Sequence, residues 1–178
     1  MTLTISLGQD HPGRAGRAGR AALLSERSEP SFFGRDLRKG DEPMKQSDDN
    51  AALVHRIYEA FGKGDIPAVA GAMTSDIIWM EAEGNPYADL NPYEGPEKVI
   101  SGLFTRLGGE WNAFSATPHT FIADGDKVVT LGRYTGTNLA TGQPLDAQFA
   151  HVWTVRSGQV SGFQQYTDTA QQARVMGK

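Results

Sequence analysis

Glu81 stands two residues after Trp79 in the run Ile77-Ile78-Trp79-Met80-Glu81-Ala82-Glu83. In a strand, whose side chains alternate, Ile77, Trp79, Glu81 and Glu83 share one face, so a carboxylate follows directly on an indole. Apolar neighbours that exclude water raise a carboxylic acid toward neutral pH, which suits a general base that takes a proton from carbon. Glu81 is therefore the candidate catalytic residue. The plainer reading of the same side chain is a carboxylate solvated at a pocket mouth or paired with an arginine. Trp79, Tyr87 and Phe104 offer aromatic surface to a substrate.

Other chemistries are excluded by what the sequence lacks. There is no cysteine, hence no disulfide, thiolate nucleophile or cysteine-bound zinc. The four histidines show neither His-x-His nor Glu-x-x-His spacing, so no metal is expected. No glycine-rich stretch is followed by Lys-Ser or Lys-Thr, and no cofactor is expected. Residues 44–178 carry ten basic against fifteen acidic side chains, a poor surface for phosphate, so nucleic acid is not an expected partner. No apolar run nears the roughly 20 residues of a membrane helix, and no membrane partner is expected. Together with the absence of cysteine, this reads as a soluble cytoplasmic protein.

Periodicity indicates the elements that must hold the candidate groups. Residues 1–43 contain the repeat Gly13-Arg14-Ala15-Gly16-Arg17-Ala18-Gly19-Arg20 and no sustained period, and they read as a disordered extension, with Met44 as an alternative start. Residues 44–178 read as one domain. Leu53, Val54, Ile57, Tyr58 and Phe61 recur at helical spacing after the cap candidates Ser47, Asp48 and Asp49, and Gly62-Lys63-Gly64 stops them. Asp65 caps a short second helix with Pro67 in its first turn. Ile77 to Glu83 is a strand, and Val99, Ile100, Leu103, Phe104 and Leu107 mark a third amphipathic helix ended by Gly108-Gly109.

From Trp111 on, the turn signals Asp124-Gly125-Asp126, Ala140-Thr141-Gly142 and Arg156-Ser157-Gly158 divide four strand-like runs, an antiparallel meander. Asp168 caps a last short helix. Strands this long coil, and a coiled sheet with helices on one side leaves a cavity between the layers.

Four motifs carry a resemblance: Tyr58-Glu59-Ala60-Phe61-x-x-Gly64-Asp65, Asp76-x-x-Trp79, Tyr93-x-Gly95-Pro96-x-x-Val99, and His151-Val152-Trp153-x-x-x-x-Gly158-x-Val160-x-x-Phe163-x-x-Tyr166-x-Asp168. In order and spacing they resemble SnoaL-like, ketosteroid-isomerase-related proteins of the nuclear transport factor 2-like superfamily, over roughly residues 50–172. The resemblance implies an α+β fold, a cone-shaped barrel of a curled antiparallel sheet packed on three helices, commonly a homodimer. Its members include isomerases, polyketide cyclases, epoxide hydrolases and binding proteins without catalysis.

The resemblance also places residues. Glu81 falls where ketosteroid isomerases keep a catalytic aspartate. Ile57 stands for their tyrosine on helix one, with Tyr58 one residue out of phase, and Ala150 stands for their protonated acid. Both oxyanion donors are thus missing unless Tyr87, Tyr93 or Gln148 replaces them. Arg133 matches the arginine of the epoxide-hydrolase arrangement, while Thr135 and Gln165 stand at its acids; with Gln148, these three are expected to orient a substrate by hydrogen bonds. If Ala150 faces the cavity, alternation turns His151 to the outer face, the usual dimer surface, and Tyr166, opposite in phase to Gln165, packs there too. The expected function is a cofactor-independent isomerase, cyclase or hydrolase that transfers protons in an enclosed apolar pocket, acting on a small apolar or carbonyl-containing molecule. The alternative is a non-catalytic ligand-binding or dimeric scaffold protein.

Overall fold

The computed structural model describes residues 38–178, with side chains from residue 42. The extension expected over 1–43 lies for the most part outside the described residues. Helix α1 spans Arg38–Gly62, so the boundary placed at Met44 falls within it, and the helix runs through Ser47 instead of starting there. Pro43, exposed near its beginning, lacks the N–H that would have bonded back to the first turn. Val54, Ile57, Tyr58 and Phe61 form its inward stripe at i, i+3, i+4 and i+7. Helix α2 (Ile66–Gly71) is capped as expected, with Asp65 Oδ1 accepting the Ala68 N–H at 3.1 Å.

One sheet holds β1 (Met73–Met80), β2 (Tyr93–Glu94), β3 (Trp111–Asp124), β4 (Lys127–Asn138), β5 (Pro144–Arg156) and β6 (Gln159–Thr167). The strand order is β2-β1-β6-β5-β4-β3. Strands β3 to β6 form the antiparallel meander that their turns predict. The sheet as a whole is mixed, because β1 pairs with β6 in parallel. The chain leaves β1, crosses the helical layer and re-enters at the far edge, so the last strand meets the first running the same way. With β2 and β3 as free edges the sheet is open and does not close into a barrel.

The third helical region is built from α3 (Pro96–Val99), a wide π turn (Ile100–Phe104) and α4 (Thr105–Glu110). Gly108 and Gly109 lie inside α4, which ends one residue later. The wide turn lets the consecutive Leu103 and Phe104 both point inward. A 3-10 turn (Pro86–Leu90) precedes this region, and α5 (Thr169–Val175) follows β6. Asp168 caps α5 as expected, its Oδ1 accepting the Gln171 N–H at 2.9 Å. Helix α1 is tied to the β3–β4 turn, where Asn50 Nδ2 donates to Gly125 O at 2.9 Å and Ser47 Oγ accepts the Gly125 N–H at 3.1 Å.

Gly132 on β4 faces Phe149 of β5 across the ladder. A Cβ there would collide with the Phe149 ring and lie 2.5 Å from Thr117 O. Without it the ring lies over β4 and stacks on His151 at 4.0 Å. Gly132→Ala is expected to cost about 1–3 kcal/mol through overpacking, read from urea unfolding; a variant as stable as the parent would show that this approach is not tight.

Candidate functional site

Alternate residues of β4, β5 and β6 turn toward the helices: Thr130 and Tyr134, then His151 and Trp153, then Phe163 and Gln165. Most of these, with Tyr58 of α1 and Trp79 of β1, enclose a cavity of about 50 Å³ between sheet and helices. A space of that size holds a few waters or a very small organic molecule, well below the roughly 300–1,000 Å³ of a pocket for a drug-sized ligand. Its walls are largely aromatic. Trp79 stacks on Phe163 at 3.7 Å between ring centres and meets Phe104 edge-on at 5.6 Å.

Glu81 lies one residue past the end of β1 and is 3% exposed. Asn91 clamps its backbone, accepting the Glu81 N–H on Oδ1 (3.0 Å) and donating from Nδ2 to Glu81 O (2.8 Å). The carboxylate accepts the indole N–H of Trp79 at 2.8 Å and Nδ2 of Asn85 at 3.1 Å. No ion pair among the described residues includes it. Burial pushes the Glu81 carboxyl up to about 7, against the opposing pull of the Trp79 hydrogen bond.

Backbone amides orient the amide side chains around it. Tyr87 N–H donates to Asn85 Oδ1 (3.0 Å), which turns Asn85 Nδ2 toward Glu81 and toward Gln165 Oε1 (2.6 Å). Ala82 N–H donates to the same Gln165 oxygen (3.2 Å), so Gln165 Nε2 donates to Tyr134 Oη (3.0 Å). The chain of bonds continues from Tyr134 Oη to His151 Nε2 (2.5 Å), from His151 Nδ1 to Tyr58 Oη (2.6 Å), and from Tyr58 Oη to Thr130 Oγ1 (2.6 Å). Burial lowers His151 to about 3, so the imidazole is neutral.

Five of the residues singled out from sequence meet at this cavity: Glu81, Trp79, Tyr87, Phe104 and Gln165. The Tyr87 hydroxyl is already engaged, donating to Glu110 Oε2 (2.8 Å) and accepting from Trp111 Nε1 (2.7 Å), so only its ring faces inward. Arg133, Thr135 and Gln148 are exposed on the opposite face of the sheet, because they alternate with the inward Tyr134 and Phe149. Arg133 pairs there with Asp146, Nε to Oδ1 at 2.7 Å. The expected outward position of His151 is also corrected. It is Ala150 that turns outward, while His151, 3% exposed, shares the inward phase of Phe149 and Trp153. Tyr58 and Ile57 both line the cavity. Tyr166 does lie on the outer face, 57% exposed.

Tyr134, Thr130, Asn85 and Asn91 were absent from the candidates. For Tyr134 and Thr130 the signal is the alternation Val128-x-Thr130-x-x-x-Tyr134 within β4. For the two asparagines there is none beyond their turn-forming type.

Among the described residues no group of three or more His, Asp or Glu is placed to hold a metal, and no helix is long and apolar enough to cross a membrane. Residues 54–163 match the SnoaL-like domain family, to which the chain belongs. Solved structures agree. An NTF2-like protein from Burkholderia thailandensis E264 is 32% identical with a TM-score of 0.68, over 71% of this chain and 96% of that one. An NTF2-like protein of unknown function from Burkholderia pseudomallei K96243 is 28% identical with a TM-score of 0.67, over 73% and 98%. TerC, co-crystallized with polyporic acid, shares the fold at 24% identity and a TM-score of 0.65, over 73% and 99%. A comparison with curated protein sequences finds no match.

Glu81 and His151 link stability to pH with opposite signs. Glu81 ionises near pH 7 when folded and near 4.5 when unfolded, so the folded state holds an extra proton and stability falls as pH rises between those values. His151, lowered by burial from 6.5 to about 3, costs stability as pH falls between those values. The slopes oppose each other where they overlap, and Glu81→Gln removes one of them. The stability of Glu81→Gln minus that of the parent should grow by on the order of 3 kcal/mol from pH 4.5 to 7, measured by urea unfolding at each pH. A difference independent of pH contradicts a buried, unpaired carboxylate.

Proposed function

We propose that this protein is a cofactor-independent cytoplasmic enzyme that removes a proton from the carbon beside the carbonyl group of a small, largely apolar molecule, with Glu81 as the base. The observation that carries this reading is a buried carboxylate that no cation among the described residues pairs with, poised to ionise near neutral pH on the wall of an aromatic cavity. In the reaction the C–H bond breaks, its proton passes to a Glu81 oxygen, and the electron pair moves onto the carbonyl oxygen as an enolate. Return of the proton to another carbon isomerises the molecule; attack by the enolate carbon on a second group closes a ring. Trp79 N–H and Asn85 Nδ2 hold the carboxylate in place throughout. The side-chain oxygen of Gln172, buried at the cavity wall without a hydrogen-bond partner, supplies an acceptor for a hydroxyl or N–H on the same molecule.

A second reading, a binding protein without catalysis, is supported by the small cavity and by the fact that both Glu81 oxygens already accept a hydrogen bond. Acetone in D2O separates the two. The enzyme reading predicts that the protein exchanges acetone's hydrogens for deuterium, at a rate that rises with pH and levels off above about 7. Glu81→Gln should slow the exchange by roughly 10²–10⁴-fold. Equal exchange by parent and variant sinks the catalytic role of Glu81.

The outer sheet face exposes Tyr166 and Ile122, and a second copy of the chain is the partner proposed for it. Light scattering should return the mass of two chains, and Tyr166→Glu should return one. A parent that is monomeric at micromolar concentration rejects the homodimer.

A further inference from the structure

Tyr134, His151, Tyr58 and Thr130 form a buried row joined by three hydrogen bonds. Contacts at both ends are fixed donors. Gln165 Nε2 donates to Tyr134 Oη, its orientation set by the Ala82 N–H, and the Trp153 indole N–H donates to Thr130 Oγ1 at 3.2 Å. The neutral His151 carries one N–H. The row therefore holds four hydrogens for three bonds, and one hydroxyl hydrogen is left unspent.

Three arrangements satisfy all three bonds, and they differ in where that hydrogen falls. With His151 protonated on Nδ1, it belongs to Thr130 or to Tyr58. With His151 protonated on Nε2, Thr130 donates to Tyr58, Tyr58 donates to Nδ1, Nε2–H donates to Tyr134, and the unspent hydrogen is that of Tyr134. Thr130 is fully buried and does not line the cavity, so a hydrogen stranded there has no acceptor. Tyr58 and Tyr134 both line the cavity. Of the two, Tyr134 is the one held by Gln165, which shares Asn85 with the Glu81 carboxylate, whereas Tyr58 stands two links further along the row. A carbonyl compound seated between Glu81 and Tyr134 on the cavity wall would offer its C–H to the one and its oxygen to the other.

We infer that Tyr134 donates its phenolic hydrogen to the carbonyl oxygen of the ligand, and that His151, held as the Nε2–H tautomer, is the positioning residue that frees it. This rests on the proposed role of Glu81 for the site of reaction, though the donor itself stands without it. The enolate oxygen formed at Glu81 would then meet a preset O–H, the oxyanion donor that proton abstraction beside a carbonyl needs.

The test uses the intact protein with acetone carrying ¹³C at its carbonyl. Long-range ¹H–¹⁵N spectra of ¹⁵N-histidine protein should show the Nε2–H tautomer for His151 in the acetone complex. The carbonyl stretch of bound acetone should fall in frequency in the parent and in Glu81→Gln, and return toward its apolar-solvent value in Tyr134→Phe. Tyr134→Phe should also slow deuterium exchange by roughly 10²–10³-fold. An Nδ1–H tautomer, or a stretch shift kept in Tyr134→Phe, overturns the inference. A shift kept in Glu81→Gln with exchange unchanged rejects Glu81 as base while leaving Tyr134 as donor.

Discussion

The Trp79 indole N–H donates to Glu81 Oε1 at 2.8 Å, and on that bond depends the presence of a carboxylate in an aromatic interior. A buried acid with no cation beside it either stays protonated or must find polar hydrogens for its charge. Here Trp79 serves one oxygen and Asn85 the other, while Asn91 holds the backbone from both sides. Asn85 and Gln165 are in turn oriented by the amides of Tyr87 and Ala82. Main-chain geometry, which cannot flip, thereby fixes the direction of every amide dipole around the acid. The donors are strong enough to permit ionisation near neutrality and too few to return the group to the ordinary carboxylate range.

The fold supplies these neighbours from separate stretches of chain. Asn85 and Gln165 are 80 residues apart in sequence, and Tyr58 and His151 are 93 apart. The parallel pairing of β1 with β6 brings Trp79 opposite Phe163 and so seats the acid beside the end of β6, where Gln165 stands. Gly132 has a comparable role on β4, since only a residue without a side chain lets Phe149 lie flat against His151. Packing density and the polar network are therefore one constraint: the stacked rings that exclude water are also the walls that keep His151 neutral.

Local features of this arrangement were legible in the sequence. The stripe Val54, Ile57, Tyr58 and Phe61, the caps at Asp65 and Asp168 and the three meander turns depend on neighbours a few residues away, and each is found where the spacing places it. Trp79 and Glu81 follow from alternation, although β1 ends at Met80 and it is Asn91 that carries the inward direction on to Glu81. The phase of β5 was written in its own residues, with Leu145, Ala147, Phe149, Trp153 and Val155 apolar against Asp146 and Gln148. Placing Ala150 inward from the family resemblance overrode that pattern and misplaced His151. The resemblance likewise points to Arg133 and Thr135 as site residues, although their polar character, like that of Gln148, marks the solvent face. The parallel β1–β6 pair and the Asn85–Gln165–Tyr134 links have no local signature, since they exist only once distant segments meet.

The central claim is that Glu81 changes ionisation near neutral pH inside the folded protein. Infrared difference spectra across a pH titration, compared between the parent and Glu81→Gln, read that event directly through the C=O stretch of a protonated carboxyl. The account predicts a band present in acid, absent from Glu81→Gln, and lost with a midpoint near 7. A midpoint in the ordinary range of an exposed glutamate, about 4.3, would contradict it.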